Sequence, residues 1–532
     1  MENVKKSFIK GIAILTIAGF ISKLLGAVYR VPYQNMTGDI GIYVYQQVYP
    51  IYSLFLILAT AGVPVAISKL VSERATLGDT VSVKRIIKIS SRMLFVIGLL
   101  AFILLFFGAD VLATWMGNRT MLTAPIQAVA CALLVTPMLS VLRGYFQGYQ
   151  QMEAPSISQV IEQLMRVITI LVSAWFFMQP GYGVVWAGTG AMFGACIGGI
   201  SGLIVLWWFL RKQHRNEQNV LPAEFVQPSA GTLIKRLFFI SLPICISSLA
   251  MPLFSLVDSF SIGNLLVAKG GVLQQVILSK GAYDRAQPLI QFASFFATAL
   301  ALSVVPAITN ACVRGEQQRA KRRAVLAIRL TLLLGLPGSI GLAVIAEPTN
   351  IMLFKDSAGT DALAVLALST LFSTLASTAT GILQGAERIA QPAYYLLIGV
   401  VVKIAANIVL IGQWGVVGAA WATVLAFLVV CLLNLWSIRQ RFPFQSWGIQ
   451  WLLRALFSVC IMAVGTYFSL KGFTYLFEIW LPERAAMAFT SLGSVCVGII
   501  LYLWAILHLG LLSRVEQALL PKRLFRLMSR SK

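Results

Sequence analysis

The chain has 532 residues, of which 58% are hydrophobic and 11% charged, with a mean hydropathy of +0.83 and a formal net charge of +23. A water-soluble globular chain carries nearer a quarter of charged residues, so this composition excludes a soluble domain and makes lipid the solvent. The basic excess does not indicate nucleic acid, because lysine and arginine sit in short connections between apolar runs rather than on one folded surface.

From the N-terminus onward, apolar runs of about 20 residues, the length that crosses ~30 Å of hydrocarbon, predict an all-α polytopic membrane protein with roughly fourteen spans. They fall at 11–29, 45–68, 93–115, 122–142, 156–178, 184–210, 237–262, 286–312, 325–346, 361–383, 393–412, 416–438, 452–470 and 486–512. Lys5, Lys6 and Lys10 ahead of the first run imitate a secretory signal. That run is too long, contains Lys23 and lacks a small-residue cleavage site, so it is expected to remain as a helix. Basic residues concentrate in alternate connections, at the N-terminus, 69–92, 211–236, 314–329, 439–454 and the tail from Arg514, which predicts that both termini are cytoplasmic. The tail interleaves Leu519, Leu520, Leu524 and Phe525 with basic residues, a pattern shared by an amphipathic helix on an anionic inner leaflet and by a plain positive-inside anchor.

An internal repeat organises the spans. Gly144, Gln147, Gly148, Pro155 and Arg166 recur as Gly381, Gln384, Gly385, Pro392 and Lys403 at identical spacings. Tyr45 and Pro50 align with Tyr283 and Pro288, and Pro-Val-Ala-Ile-Ser at 64–68 resembles Val-Pro-Ala-Ile-Thr at 305–309 after a short shift. Two pseudo-symmetric six-helix lobes are expected over 1–211 and 235–440, joined by a cytoplasmic linker at 212–234. Two additional helices over 441–513 and the basic tail at 514–532 follow. An even number of spans per lobe makes the repeats parallel about an axis along the membrane normal, an architecture of secondary transporters, and the lobes are expected to face each other across a cavity.

A charge at membrane depth is costly, so the deep cations are the first candidate site residues. Arg166 and Lys403 each lie about ten residues into their spans, hence ~15 Å deep. Glu162 stands one turn before Arg166 and offers it an i, i+4 partner, whereas Lys403 has only Asn407 one turn on. Lys23 and Arg30 are seven residues apart on one face of the first helix, Lys23 near midspan and Arg30 near the outer interface, where it either lines the cavity or snorkels to headgroups. Asp258 and Arg285 flank the outer end of the second lobe, as substrate contacts or as an interfacial ion pair. Pro64, Pro243, Pro252, Pro306 and Pro337 fall inside spans and read as hinges. The Gly144–Gly148 and Gly381–Gly385 stretches read as close-packed connections at cytoplasmic helix ends. Gly188, Gly190, Gly194, Gly198 and Gly202 read as a helix-packing face. All seven cysteines lie in apolar spans, His214 and His508 join no constellation, and there is no Walker loop; no enzyme, metal site or cofactor is expected.

The paired Gly-x-x-Gln-Gly motif with its following proline is accompanied by Arg30-Val31-Pro32-Tyr33-Gln34-Asn35 after a basic first helix. Tyr45-Gln46-Gln47-Val48-Tyr49-Pro50 and Gly62-Val63-Pro64-Val65-Ala66-Ile67-Ser68-Lys69 come next. Together they resemble the stage V sporulation protein B and polysaccharide transporter group, with its YabM-like members from Gram-positive spore formers. That group sits in the flippase superfamily that also holds the lipid II flippase and the multidrug and toxin extruders. The resemblance implies export of a lipid-linked saccharide precursor of peptidoglycan or spore cortex from the inner to the outer leaflet, beside proteins of cell-wall synthesis; it leaves open whether an ion or the membrane potential drives it. A polyprenyl diphosphate sugar needs a wet cavity with cations, and Arg166 and Lys403 are expected to hold the diphosphate jointly. The rival on the same fold is a multidrug or organic-cation antiporter, which would bury carboxylates; the deep Lys23, Arg166 and Lys403 against the lone midspan acid Glu162 favour an anionic substrate.

Overall fold

A computed structural model describes residues 14–15, 17–22, 24–57, 62–179, 181–214, 229–388, 390–443 and 449–511. Lys23, most of the inter-lobe linker and the basic tail lie outside the described residues, and the expectations for them stay with the sequence. Every regular element described is helical, as hydrocarbon demands, because only a helix or a closed barrel satisfies each backbone N–H and C=O without water.

In chain order the helices are α1 (Arg30–Ile57), α2 (Val63–Ala75), α3 (Thr80–Phe107), α4 (Ala109–Trp115), α5 (Arg119–Ala130) and α6 (Ala132–Gly148). They continue with α7 (Glu153–Phe177), α8 (Val184–His214), α9 (Ala230–Ser248), α10 (Ala250–Ala268), α11 (Leu273–Asp284) and α12 (Gln287–Val313). The last six are α13 (Gln317–Val344), α14 (Ala346–Phe354), α15 (Thr360–Gly385), α16 (Ala390–Arg441), α17 (Ile449–Glu478) and α18 (Glu483–His508). Among the described residues, 11 helices are long and apolar enough to cross a membrane. Two of these runs, Ile17–Ile57 and Ala390–Arg441, are each broken by non-helical backbone at a glycine, Gly38 (φ 66°) in the first and Gly415 (φ 57°) in the second. A left-handed φ costs an L side chain roughly 1–2 kcal/mol and glycine almost nothing, which is why the breaks fall there. Apolar side chains such as Phe107, Trp175, Phe239, Tyr394, Trp436 and Phe468 point outward, the reverse of a soluble fold.

Several boundaries differ from those read off hydropathy. The stretch after the first predicted span is helix, not loop, so Arg30 opens α1 and is buried at 2% exposure, which removes snorkelling from its two alternatives. Helix α1 is described as far as Ile57 and α2 from Val63, and residues 58–61 of the second predicted span lie outside the described residues. The basic connection at 69–92 is mostly helix, with a short turn closed by Asp79, which caps α3 by accepting from the Ser82 N–H at 2.9 Å. Polar flanks extend membrane helices into the interface, so a hydropathy window marks the apolar core of a helix and misses its ends. Pro252 stands in the first turn of α10, where proline removes no helical hydrogen bond, so it is not the mid-helix hinge expected; the stretch that precedes Pro64, residues 58–61, lies outside the described residues. Pro155 and Pro392 likewise fall in the first turns of α7 and α16. Pro337 does lie inside α13, and Pro243 and Pro306 lie in the runs of α9 and α12.

By contacts the chain divides into two compact units, residues 1–288 with 403–416 and residues 289–402 with 417–532. In the first, α6 packs on α2: a Cβ at Gly144 would meet Ile67 at 2.8 Å, and one at Gly148 would meet Val71 at 2.6 Å. In the second, a Cβ on Gly385 of α15 would meet the Val305 carbonyl at 2.9 Å and Ile308 at 3.1 Å. Gly148 and Gly385 are partners in the sequence repeat, so in each copy a glycine stands where a neighbouring helix comes too near for a side chain. The second unit is further joined by hydroxyl contacts, Thr331 to Thr378 at 2.8 Å between α13 and α15 and Tyr502 to the Leu333 carbonyl at 2.7 Å between α18 and α13. Lipid gives helices no hydrophobic reason to associate, so small residues and such hydrogen bonds carry the packing.

Candidate functional site

The first unit buries an unusual amount of charge, arranged in two clusters. One is built on α1 and α7. Tyr45, Tyr49 and Tyr52 follow i, i+4, i+7 spacing along one face of α1. Tyr45 stacks on Tyr49 with ring centres 5.7 Å apart, and its hydroxyl meets that of Tyr29 at 2.5 Å. Arg166 reaches these rings from α7, with its guanidinium 4.7 Å from the centre of the Tyr52 ring and 5.6 Å from that of Tyr49, and Nη2 donates to the Tyr45 hydroxyl at 3.3 Å. The Arg30 guanidinium lies 5.0 Å from the same Tyr49 ring. Both arginines are buried, and no carboxylate among the described residues comes within ion-pair reach of either. Nε and Nη1 of Arg30 and Nε of Arg166 find no acceptor among those residues. Aromatic faces and neutral hydroxyls hold a guanidinium while leaving its positive charge uncancelled.

Glu162 does not pair with Arg166 as their spacing invites. Its Oε2 takes a 2.6 Å ion pair from Arg143 of α6, and Arg143 Nη2 also donates to Ser158 at 3.1 Å.

The second cluster gathers the remaining candidates. Lys403, fully buried on α16, forms a 2.7 Å ion pair with Asp258 of α10. Asn407, one turn on from Lys403, donates to Asp258 at 3.0 Å and to Ser261 at 2.7 Å, and the Tyr283 hydroxyl donates to the other Asp258 oxygen at 2.9 Å. Arg285 goes not to Asp258 but to Asp39 of α1, at 3.2 Å. That approach is tight, since a Cβ at Gly281 would overlap the Asp39 carbonyl. Lys280 and Asp284 pair at 2.5 Å within α11.

Two sequence-based expectations therefore change. Lys403 has a strong partner that the sequence did not reveal, and Arg166 and Lys403 enter different clusters instead of one joint diphosphate site. The ion-pair alternative for Asp258 and Arg285 also fails as a mutual pair, because each takes another partner. Among the described residues, these two clusters and the Arg143–Glu162 pair hold six cations (Arg30, Arg143, Arg166, Lys280, Arg285, Lys403) against four carboxylates (Asp39, Glu162, Asp258, Asp284). The four carboxylates are each matched to one cation, and the surplus is Arg30 and Arg166. Arg143, Asp39, Lys280, Asp284 and the tyrosine row escaped the sequence reading, although the 45, 49, 52 spacing was there to be seen.

Comparison with known proteins agrees with this architecture. The family model described as "Polysaccharide biosynthesis protein" matches residues 8–312, and the MatE model matches residues 243–409. The membrane protein YabM of Bacillus subtilis (strain 168) is 37% identical over 525 residues, covering 97% of this chain and 96% of that protein. The lipid II flippase MurJ of Bacillus subtilis (strain 168) is 28% identical over 458 residues, covering 82% of this chain and 84% of its own length. A solved structure of the lipid II flippase MurJ in an inward closed conformation superposes with a TM-score of 0.67 at 15% identity, over 93% of this chain and 98% of that one. The chain belongs to the polysaccharide biosynthesis protein family, within the multidrug/oligosaccharidyl-lipid/polysaccharide flippase superfamily. It is a multi-pass membrane protein of the flippase/transporter class.

Proposed function

We propose that this transporter moves a lipid-linked saccharide precursor of the polyprenyl diphosphate class from the inner to the outer leaflet of the cell membrane, with both termini on the cytoplasmic side. The observation that carries the reading is the surplus of two buried guanidinium groups, Arg30 and Arg166, both set against the Tyr49 ring. A diphosphate diester bears two negative charges with oxygens that accept charge-assisted hydrogen bonds, and guanidinium is the side chain best shaped to donate them. Tyrosine faces beside the cations supply flat apolar surface of the kind on which a sugar ring lies. Relatedness to a lipid II flippase supports a peptidoglycan or spore-cortex precursor as the cargo, with enzymes of cell-wall synthesis as its suppliers and consumers. An organic cation, the cargo of the rival antiporter reading, would meet uncancelled positive charge in this cluster.

The class of cargo is tested by two growth assays on the full chain. Expression in a strain depleted of its lipid II flippase is expected to restore growth, and expression in a drug-sensitive host is expected to leave resistance to cationic dyes unchanged. Dye resistance without rescue would overturn the assignment in favour of the antiporter.

A further inference from the structure

We propose that Arg143 is a positioning residue of the anion site: by holding Glu162 in an ion pair it keeps that carboxylate off Arg166 and so leaves the Arg166 charge available to a phosphate. The inference rests on the reading of Arg166 as a phosphate-binding side chain.

Glu162 and Arg166 stand one turn apart on α7, with glutamate N-terminal to the cation, the order that pairs best along a helix. Both are buried, at 4% and 5% exposure, so water offers the carboxylate no substitute partner. Left to themselves the two would cancel. Arg143 prevents this from the neighbouring α6. Its Nη2 approaches Glu162 Oε2 at 2.6 Å and Ser158 Oγ at 3.1 Å, and Ser158 in turn donates to the Gly202 carbonyl at 3.1 Å. Two glycines of α8 press on the same stretch. A Cβ at Gly198 would meet the Glu162 carbonyl at 2.6 Å and Arg166 Cβ at 3.0 Å, and one at Gly202 would meet Ser158 Oγ at 3.2 Å. The carboxylate is thus anchored toward Arg143 while Arg166 extends to the tyrosines of α1.

The internal repeat gives an independent indication. At the same offset that relates Gly144 to Gly381 and Arg166 to Lys403, Arg143 corresponds to Thr380 and Glu162 to Gly399. Both members of the pair are absent together from the second copy, as expected of two groups that matter only through each other. There the cation, Lys403, is neutralised directly by Asp258. The first copy has the device and a cation with no carboxylate partner among the described residues; at the corresponding positions the second copy has neither.

Removing the Arg143 charge leaves a buried carboxylate without a counter-ion, and the guanidinium one turn away is the group that can supply one. Arg143→Met should therefore disable Arg166 without touching it, and removing the Glu162 charge as well should bring Arg166 back. The test measures binding of undecaprenyl diphosphate to the purified full chain in nanodiscs, by quenching of intrinsic fluorescence, with the melting temperature of each variant as the control for folding. Arg143→Met is expected to weaken binding by roughly tenfold or more, as loss of a charge-assisted phosphate contact does. Arg143→Lys, which keeps the pair, and the double variant Arg143→Met with Glu162→Gln are each expected to stay within about threefold of the unmodified protein. A double variant as weak as Arg143→Met, or an Arg143→Met that binds normally, overturns the positioning role. If Arg143→Met does not fold, the double variant alone decides, since loss of binding there would mean that Arg143 acts by itself and not through Glu162. Arg166→Met binding as tightly as the unmodified protein would instead overturn the reading of Arg166 on which the inference rests.

Discussion

Arg30 and Arg166 share one ring, and each keeps guanidinium N–H groups without an acceptor among the described residues, so both are expected to work through charge rather than through packing. Arg30→Ala and Arg166→Ala are each predicted to slow lipid transfer by roughly tenfold or more while membrane abundance stays near normal, and Arg166→Lys is predicted to retain more activity than Arg166→Glu. Transfer rates beside immunoblots of membrane fractions check this, and a normal rate in both alanine variants would remove these residues from the site. Lys403 is predicted to behave in the opposite manner. Because it neutralises the buried Asp258, Lys403→Ala should cost about 3–5 kcal/mol of stability and lower abundance, and adding Asp258→Asn should recover much of the loss. A Lys403→Ala protein that melts normally would contradict the pairing. Depth alone made Arg166 and Lys403 legible as special residues in the sequence. Their different fates were not legible, because Asp258 reaches Lys403 and Arg143 reaches Glu162 from other helices, and chain spacing carries no record of such contacts. The two alternatives for Arg30 stayed open in the sequence for a related reason: the stretch Arg30–Val44 is too polar to score as a span, yet it is helix packed inside the first unit.

The repeat was legible at the scale of elements because close helix packing leaves glycines at fixed places. Gly148 and Gly385 are partners in the repeat, and both face a helix too near to admit a side chain. Gly148→Leu and Gly385→Leu are predicted to destabilise the protein by about 1–3 kcal/mol each through overpacking, with a lowered melting temperature in detergent and no selective loss of substrate affinity. Unchanged melting in both would mean that the contacts of α6 on α2 and α15 on α12 are loose. Helix ends were less legible than helix cores. Asp79 caps α3 among basic residues that the hydropathy pattern assigns to a loop, and the breaks at Gly38 and Gly415 divide runs that stay helical on both sides.

For the whole molecule, the basic residues of alternate connections predict that the N-terminus, the 211–236 connection and the C-terminus all face the cytoplasm. Single cysteines placed at these positions in a cysteine-free background should resist a membrane-impermeant thiol reagent in intact cells and react after permeabilisation. An external C-terminus would require an odd number of spans. The superfamily was legible in the duplicated motifs and those of the first helices, and family membership bears it out; the cargo rests on two arginines and five tyrosines (Tyr29, Tyr33, Tyr45, Tyr49 and Tyr52), of which the chain alone displays only the 45, 49, 52 spacing. The most direct measurement is leaflet exposure of an undecaprenyl diphosphate disaccharide in liposomes holding the purified chain. The account predicts transfer that depends on the protein, is lost when Arg30 and Arg166 are both replaced by alanine, and is unaffected by cationic dyes. Transfer that persists in that double variant, or movement of dyes in place of the lipid, would contradict it.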